Sequence, residues 1–248
     1  MNTPKFFALI IGTEILNRRR EDSHFDFVTK ALSRRGHKLS GSFIIEDDPD
    51  LIVDTIKFIA SQRDSILFSF GGIGSTPDDH TRACASIALS DGELEVNQEI
   101  KSIIEAKLGD RAYPHAICMA EVPKNSDMLE NHFNGMPAFS LENRFYFMPG
   151  FPQMSHPMVE AILENNIEDN TPYYRYTLEA QCRESELIDA MKLMPNGVEF
   201  SSLPKIVPNG GWSLSISVAS YNKELARESF DIYIDALKEK GINYTIES

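Results

Sequence analysis

Hydrophobic and polar positions follow two different periods along the first third of the chain. Residues 6–11 and 66–70 are nearly continuous apolar runs, which are typical of strands buried on both faces of a parallel sheet. Residues 39–45 predict another strand between them, and the segments on either side of it carry apolar residues at helical spacing. The order strand, helix, strand, helix, strand predicts a parallel sheet with helices on both faces. In such sheets ligands bind at the carboxyl ends of the strands.

The starts of these two helices carry different signals. Ser23, with Asp26 three residues later, resembles a capping box. Asp48, followed by Pro49, supplies an N-cap and a proline for the first turn. We therefore expect one helix of about three turns after Ser23 and a second helix after Asp48.

The pattern is weaker beyond residue 78. Helices are predicted at 79–89 and 97–108, and a strand at 144–148. Residues 113–143 show no clear period and stay unassigned. Polar residues within 164–170 have the composition of a linker.

After this linker the pattern predicts a small second domain. Its elements follow the order βαββαβ, which is the ferredoxin-like pattern, and alternation over residues 213–218 marks a sheet with one buried face. We expect two domains, at residues 1–168 and 169–248. The predicted elements of the second are strands at 174–180, 198–203, 212–219 and 242–246, and helices at 184–194 and 223–240.

Composition narrows the range of functions. The chain has 24 Lys and Arg against 37 Asp and Glu, a net charge of -13, so most of its surface would repel a nucleic-acid backbone and no nucleic-acid partner is expected. The longest apolar run is far shorter than the ~20 residues that span a bilayer, so we expect no membrane association and a cytoplasmic location. Three widely spaced cysteines favour free thiols over disulfides or a zinc site.

A glycine-rich loop directly follows the apolar run at 66–70. Gly71, Gly72 and Gly74 would let backbone N–H groups approach a phosphate, and the helix that follows adds partial positive charge. The loop is neither a P-loop nor a dinucleotide-binding fingerprint, so it predicts an anion site without naming the ligand. Hydroxyl donors accompany it at Ser75, Thr76 and Thr81.

Carboxylates surround this predicted anion site. Asp78 and Asp79 favour a divalent cation or an activated water between them and the anion, but they fit equally well as the cap and first turn of the next helix. Glu14 would lie at the same edge of the sheet, either as a ligand of a cation or water or tied to backbone N–H groups. At most one of Asp47 and Asp48 is expected to be functional, since Asp48 already serves as an N-cap.

Short motifs occur in a fixed order along residues 5–155. They are Ile11-Gly12-Thr13-Glu14-Ile15-Leu16, Asp22-Ser23-His24, Asp47-Asp48, Gly71 to Asp79 with Thr81, Met119-Ala120-x-x-Pro123, Asn131, Gly135 and Pro149-Gly150-Phe151-Pro152. In order and spacing they resemble the CinA-type branch of the MoaB/Mog domains, and residues from about 170 onward are similar to the small middle domain of CinA proteins. The resemblance implies a three-layer α/β/α domain with a mostly parallel sheet, and a homo-oligomer, either a dimer or a trimer.

The resemblance also implies a reaction. CinA-type domains resemble pyrophosphatases that act on ADP-ribose or related dinucleotides and depend on a divalent metal, here Mg²⁺, Mn²⁺ or Co²⁺. The alternative is a non-catalytic module that binds molybdopterin or a nucleotide. Because the amidohydrolase domain of longer CinA chains has no counterpart in this sequence, nicotinamide-nucleotide amidase activity is not expected.

The resemblance assigns roles to individual residues. The expected catalytic residues are Asp78, Asp79 and Glu14, and the expected metal ligands are Asp79 and Asp47. The expected phosphate or ligand contacts are Gly71, Gly72, Gly74, Ser75, Thr76, Thr81 and Asn131.

Four positions depart from the family pattern. Thr13 replaces an aspartate, His24 an asparagine, Ser75 a proline and Cys118 a basic residue. The lost carboxylate at Thr13 and the lost cation at Cys118 would weaken metal or diphosphate binding. The departures at Thr13, Ser75 and Cys118 are consistent with the alternative of binding without catalysis.

Overall fold

The computed structural model describes residues 4–206 and 211–247. The chain divides into two compact units, residues 1–169 and residues 170–248. None of the helices in the described part of the chain combines the length and the apolar character that crossing a bilayer requires. The cysteines Cys84, Cys118 and Cys182 are free thiols, as their spacing predicts.

The described residues of the first unit form eight strands. They are β1 (Lys5–Ile11), β2 (Leu39–Ile45), β3 (Ser65–Phe70), β4 (Leu94–Val96), β5 (Glu121–Pro123), β6 (Asp127–Leu129), β7 (Ala138–Leu141) and β8 (Phe145–Met148). Six of them make one sheet in the order β2-β1-β3-β8-β7-β6. The first four run parallel, and β7 and β6 are antiparallel additions. The short strands β4 and β5 pair with each other.

Helices cover both faces of this sheet. They are α1 (Thr13–Leu16), α2 (His24–Arg34), α3 (Pro49–Ala60), α4 (Thr81–Leu89), α5 (Gln98–Leu108) and α6 (Pro152–Asn166). Helix α2 packs against α6, and α3 packs against α4. The result is the predicted three-layer α/β/α fold. Because both faces are covered, β3 is buried throughout and β1 is buried beyond Lys5, whereas β2 lies at the edge and is partly exposed.

Three local predictions are wrong. The carboxylate of Asp22, and not the Ser23 hydroxyl, accepts the N–H groups of His24 and Phe25 at the start of α2 (2.9 and 3.1 Å). Helix α4 begins at Thr81 rather than at residue 79. Part of the predicted linker, residues 164–166, forms the last turn of α6, because the apolar side of that helix continues to Leu163.

The second unit has the predicted order of elements. They are β9 (Tyr174–Ala180), a 3-10 turn (Glu184–Leu187) that continues into α7 (Ile188–Lys192), β10 (Glu199–Ile206), β11 (Trp212–Ser220), α8 (Lys223–Glu239) and β12 (Tyr244–Ile246). The sheet is antiparallel in the order β10-β11-β9-β12, which is ferredoxin-like. Its core includes Leu178, Ile216, Phe230 and Tyr233.

Candidate active site at the carboxyl ends of the parallel strands

A cavity of about 280 Å³ lies where the parallel strands of the first unit end. It is lined by the ends of β1 and β3 and by the segments that follow β1, β2, β3 and β8. The predicted residues that it brings together are Glu14, Asp47, Gly71, Gly72, Asp78 and Asp79. Residues from four separate parts of the sequence thus converge because parallel strands share one carboxyl edge.

The backbone of the glycine loop is held from behind by the first two residues of α4. Thr81 Oγ1 donates to Gly71 O (3.0 Å), and the Thr81 N–H donates to Gly72 O (2.9 Å). Arg82 Nη2 donates to Gly74 O (2.8 Å). The carbonyl groups of Gly71, Gly72 and Gly74 are therefore occupied. By contrast, the four consecutive N–H groups of residues 72–75 find no acceptor within the part of the chain that the structure describes.

Glycine is required at the two positions where this loop turns. Gly71 has φ 101°, and a Cβ there would lie 2.4 Å from Ile11 O. Gly72 has φ 68°, and a Cβ would lie 2.2 Å from Thr81 Oγ1. Any other residue would suffer both backbone strain and a collision.

Asp79 closes the loop instead of capping α4. Its Oδ2 accepts from Thr76 N (2.8 Å) and from Thr76 Oγ1 (2.6 Å), so the structural role considered for it as a first-turn residue is wrong. Asp78 is exposed at the end of the same loop, outside the cap position, which His80 occupies. The Thr76 hydroxyl and the backbone N–H of Asp78 itself lower the pKa of the Asp78 carboxyl. Asp78 is therefore ionised at neutral pH.

Thr13 and Asp47 form a second closed contact at this edge. Asp47 Oδ2 accepts from both Thr13 N and Thr13 Oγ1 at 2.8 Å. A carboxylate at position 13 would repel Asp47, whereas the threonine hydroxyl donates to it. Threonine in place of aspartate at position 13 therefore removes one negative charge, and its hydroxyl orients the carboxylate of Asp47. Asp48, as predicted, caps α3 by accepting from Leu51 N (2.8 Å).

Arg20 and His24 line the cavity but were not predicted as site residues. Both donate to the carbonyl of Gly150, from Arg20 Nη2 at 2.6 Å and from His24 Nε2 at 3.3 Å. Arg20 also lies 3.7 Å from the Glu14 carboxylate. Arg20 is the only cation among the described residues that line the cavity. The run Arg18-Arg19-Arg20 was visible in the sequence, but no pattern showed which of the three turns inward.

His24 is a buried neutral side chain. It stacks on Phe70 with ring centroids 4.2 Å apart, and its Nδ1 accepts from His156 Nε2 at 3.2 Å. Burial lowers the pKa of His24 to about 4. At neutral pH His24 therefore acts as a hydrogen-bonding group and adds no positive charge to the site.

The remaining predicted residues do not line the cavity. Gly74, Ser75, Thr76 and Thr81 belong to the loop or support its back. Asn131 is buried in another loop, where its amide donates to Asn134 Oδ1 and Met136 O and its Oδ1 accepts from Phe133 N. Asn131 thus shapes its own segment, and the structure does not bring it to the ligand side.

The carboxylates that line the cavity do not form a complete metal site by themselves. Among the described residues, no three His, Cys, Asp or Glu side chains are placed to hold one ion together. The cavity nevertheless offers hard oxygen ligands of the kind that Mg²⁺ prefers. These residues fit an ion that takes part of its coordination from phosphate oxygens and water, as Mg²⁺ commonly does.

A second groove, of about 560 Å³, lies in the second unit. It is lined by β9, β11 and β12 residues that include Glu179, Trp212 and Tyr244. Its described lining contains one carboxylate and no basic side chain. The cavity at the carboxyl ends of the parallel strands, although it is smaller than this groove, is therefore the candidate site.

Comparison with known proteins gives consistent results for the first unit. Residues 7–169 match the family described as "Probable molybdopterin binding domain". A CinA-like protein of Desulfotalea psychrophila is 28% identical over 245 residues, which cover 93% of this chain and 58% of that protein. A protein of Thermoplasma acidophilum is 23% identical over 227 residues, 88% of each chain.

A solved structure supports the same fold. It is described as the protein CinA with unknown function from Thermoplasma acidophilum, and it superposes with a TM-score of 0.60 at 23% sequence identity. The match covers 66% of this chain and 99% of that chain. The predicted resemblance to CinA-type MoaB/Mog proteins is thereby confirmed.

Proposed function

The chain belongs to the family described as "Probable molybdopterin binding domain", and we propose that its cavity binds and hydrolyses the diphosphate of a nucleotide. ADP-ribose or a related dinucleotide is the proposed substrate, and a divalent metal the proposed cofactor. The observation that carries the proposal is the row of four unpaired N–H groups at residues 72–75, which begins at Gly72 in the lining of the cavity and continues beyond it. Consecutive N–H groups of this kind bind anions, and the adjacent start of α4 favours negative charge.

The charge of the cavity supports the need for a cation. Four carboxylates and one guanidinium line it, so a diphosphate would be repelled unless positive charge accompanied it. Asp79 and Asp47, each with one oxygen already hydrogen-bonded to a threonine, would hold the ion together with the phosphates. When bound, the ion would neutralise the bridging phosphates and lower the pKa of a water molecule.

The residues of the chain would divide the remaining work. The loop N–H groups would hold one phosphate, and Arg20 would face the other. Glu14 would orient the attacking water and take up its proton. Hydrolysis adds water across the P–O–P bridge, so that ADP-ribose yields AMP and ribose 5-phosphate.

One observation favours the second candidate function, binding of molybdopterin or a nucleotide without cleavage. The oxygens of Asp47 and Asp79 that accept from Thr13 and Thr76 are partly withdrawn from metal binding. A module of this kind would bind its ligand in the presence of EDTA. It would release no product.

The test is incubation of the protein with ADP-ribose, FAD or NAD, each with Mg²⁺, Mn²⁺ or Co²⁺ and each with EDTA, followed by chromatography. Metal-dependent release of AMP is expected. Asp79→Asn keeps an acceptor for Thr76 but removes the charge, and it should lower turnover by roughly 100-fold or more.

Asp54→Asn is the matched control, since Asp54 is an exposed aspartate on α3. It should leave turnover unchanged. Full activity in Asp79→Asn would contradict the assignment of that residue, and ligand binding without product from any pair would favour the second candidate function.

A further inference from the structure

Arg82, the second residue of α4, lies buried directly behind the glycine loop. It is 9% exposed. Besides Gly74 O, its guanidinium donates to the carbonyl oxygens of Cys118 and Glu121, and Nη2 lies 3.8 Å from Cys118 Sγ. Among the described residues these acceptors are all uncharged, and Nε has no partner. A buried guanidinium without a carboxylate is unfavourable, so its charge needs another source of stabilisation.

The contact with Gly74 determines the orientation of a peptide group. In a planar trans peptide the C=O and N–H bonds point in opposite directions. When Arg82 holds the carbonyl of Gly74 at the back of the loop, the N–H of Ser75 points away from Arg82. That N–H is one of the four that find no acceptor in the described chain.

The charge of Arg82 therefore lies one peptide group behind the proposed anion site. Its guanidinium also contacts the carbonyl of Cys118. Because the surroundings are buried, this charge is weakly screened by solvent.

We infer that Arg82 is a positioning residue of the anion site, which orients the Ser75 N–H and supplies from behind the loop the positive charge that a bound diphosphate requires. The inference rests on the proposed function only as far as anion binding. It holds for a site that binds a diphosphate without cleaving it. A charge at this separation is worth on the order of ten-fold in affinity.

The sharpest test places a negative charge beside the guanidinium of Arg82 and leaves Arg82 itself unchanged. Cys118→Asp places a carboxylate beside the guanidinium, and Cys118→Asn places a side chain of the same shape without charge. Inorganic pyrophosphate is titrated by calorimetry with Mg²⁺ into each variant, and Tm is measured for each. We expect Cys118→Asp to bind pyrophosphate about ten-fold more weakly than Cys118→Asn, with a Tm at least as high, because the buried cation gains a partner.

Direct replacement of Arg82 gives a second measurement. Arg82→Met should weaken pyrophosphate binding more than Arg82→Lys, which keeps the charge. Arg35→Met is the control, since Arg35 is also partly buried and pairs with Asp169 instead (2.8 Å). This control should lower Tm and leave pyrophosphate affinity unchanged.

The outcomes separate the inference from the proposed function. If Cys118→Asp weakens pyrophosphate binding but the wild type turns over no dinucleotide, the inference is supported and the proposed hydrolysis is contradicted. Equal affinities for Cys118→Asp and Cys118→Asn, with a wild type that binds, overturn the inference and leave the anion site intact. A wild type that does not bind pyrophosphate overturns both.

Discussion

The two units of this chain each carry a groove, and the grooves differ in how the fold builds them. The candidate site of the first unit is half the size of the other groove, about 280 Å³ against 560 Å³, yet it gathers four carboxylates, a guanidinium and the first of a row of unpaired N–H groups. Parallel strands send all their following loops to one edge. In the antiparallel sheet of the second unit, neighbouring strands end on opposite edges, and fewer chemical groups meet. Sheet direction, and not cavity size, is what concentrates chemistry here.

The largest expected effect comes from comparing one glycine in each unit. Gly72 and Gly241 have nearly the same φ, 68° and 66°, but a Cβ would strike Thr81 Oγ1 in the first case and meet open space among the described residues in the second. Gly241→Ala should cost about 1 kcal/mol of unfolding free energy from backbone strain. Gly72→Ala should cost roughly 3 kcal/mol, since the collision adds to that strain.

Chemical denaturation measures both values, and the shift in Tm on adding nucleotide shows whether the site survives. Gly72→Ala should lose that shift while Gly241→Ala keeps it. Equal costs in the two variants would mean that the loop relaxes around the new methyl group.

A second effect, of similar size, concerns pH. All six histidines lie in the first unit, and burial lowers the pKa of His24 from 6.5 to about 4. Unfolded His24 takes up a proton below pH 6.5 whereas the folded side chain resists protonation until about pH 4. The first unit therefore loses stability as the pH falls through this window, by roughly 3 kcal/mol.

The variant His24→Asn isolates this contribution. The unfolding free energy of the wild type minus that of the variant should decrease as the pH falls from 6.5 to 4. A difference that stays constant over the window would show that His24 is protonated in the folded state.

The smallest effect is expected at the contact between Thr13 and Asp47. Thr13→Val removes the hydroxyl that donates to Asp47 and should weaken nucleotide binding about five-fold, the equivalent of one hydrogen bond worth about 1 kcal/mol. Thr245→Val, in the groove of the second unit, is the matched control. Calorimetric titration with ADP-ribose should show no change for it. An equal loss of ADP-ribose affinity in both variants would contradict the assignment of nucleotide binding to the cavity of the first unit alone.

The sequence predicts the parts of this molecule in which local pattern and tertiary structure agree. The apolar runs of β1 and β3 are buried on both faces, so their pattern is unambiguous. Asp48 caps α3 as predicted because its side chain competes with no stronger neighbour. At Ser23 a neighbour does compete, and Asp22 takes the N–H groups instead.

The prediction of the site is limited by side-chain direction. The meeting of Glu14, Asp47, Asp78 and Asp79 follows from the common edge of parallel strands. The inward turn of Arg20 depends on the Gly150 carbonyl, which lies 130 residues away in the sequence, and no local pattern encodes it. Residues 113–143 stay unassigned because they form 3-10 turns and strands of three or four residues, too short to show a period.

The neighbouring ends of β3 and β8 have a consequence for the order of folding. Gly71 N donates to Met148 O (3.0 Å), and a Cβ at Gly150 would lie 3.3 Å from Gly71 Cα. The glycine loop is thus shaped by a strand that is synthesised nearly eighty residues later. Contacts of such long range form only after the intervening chain has closed a large loop. We therefore expect the proposed anion site to be among the last features of the first unit to form.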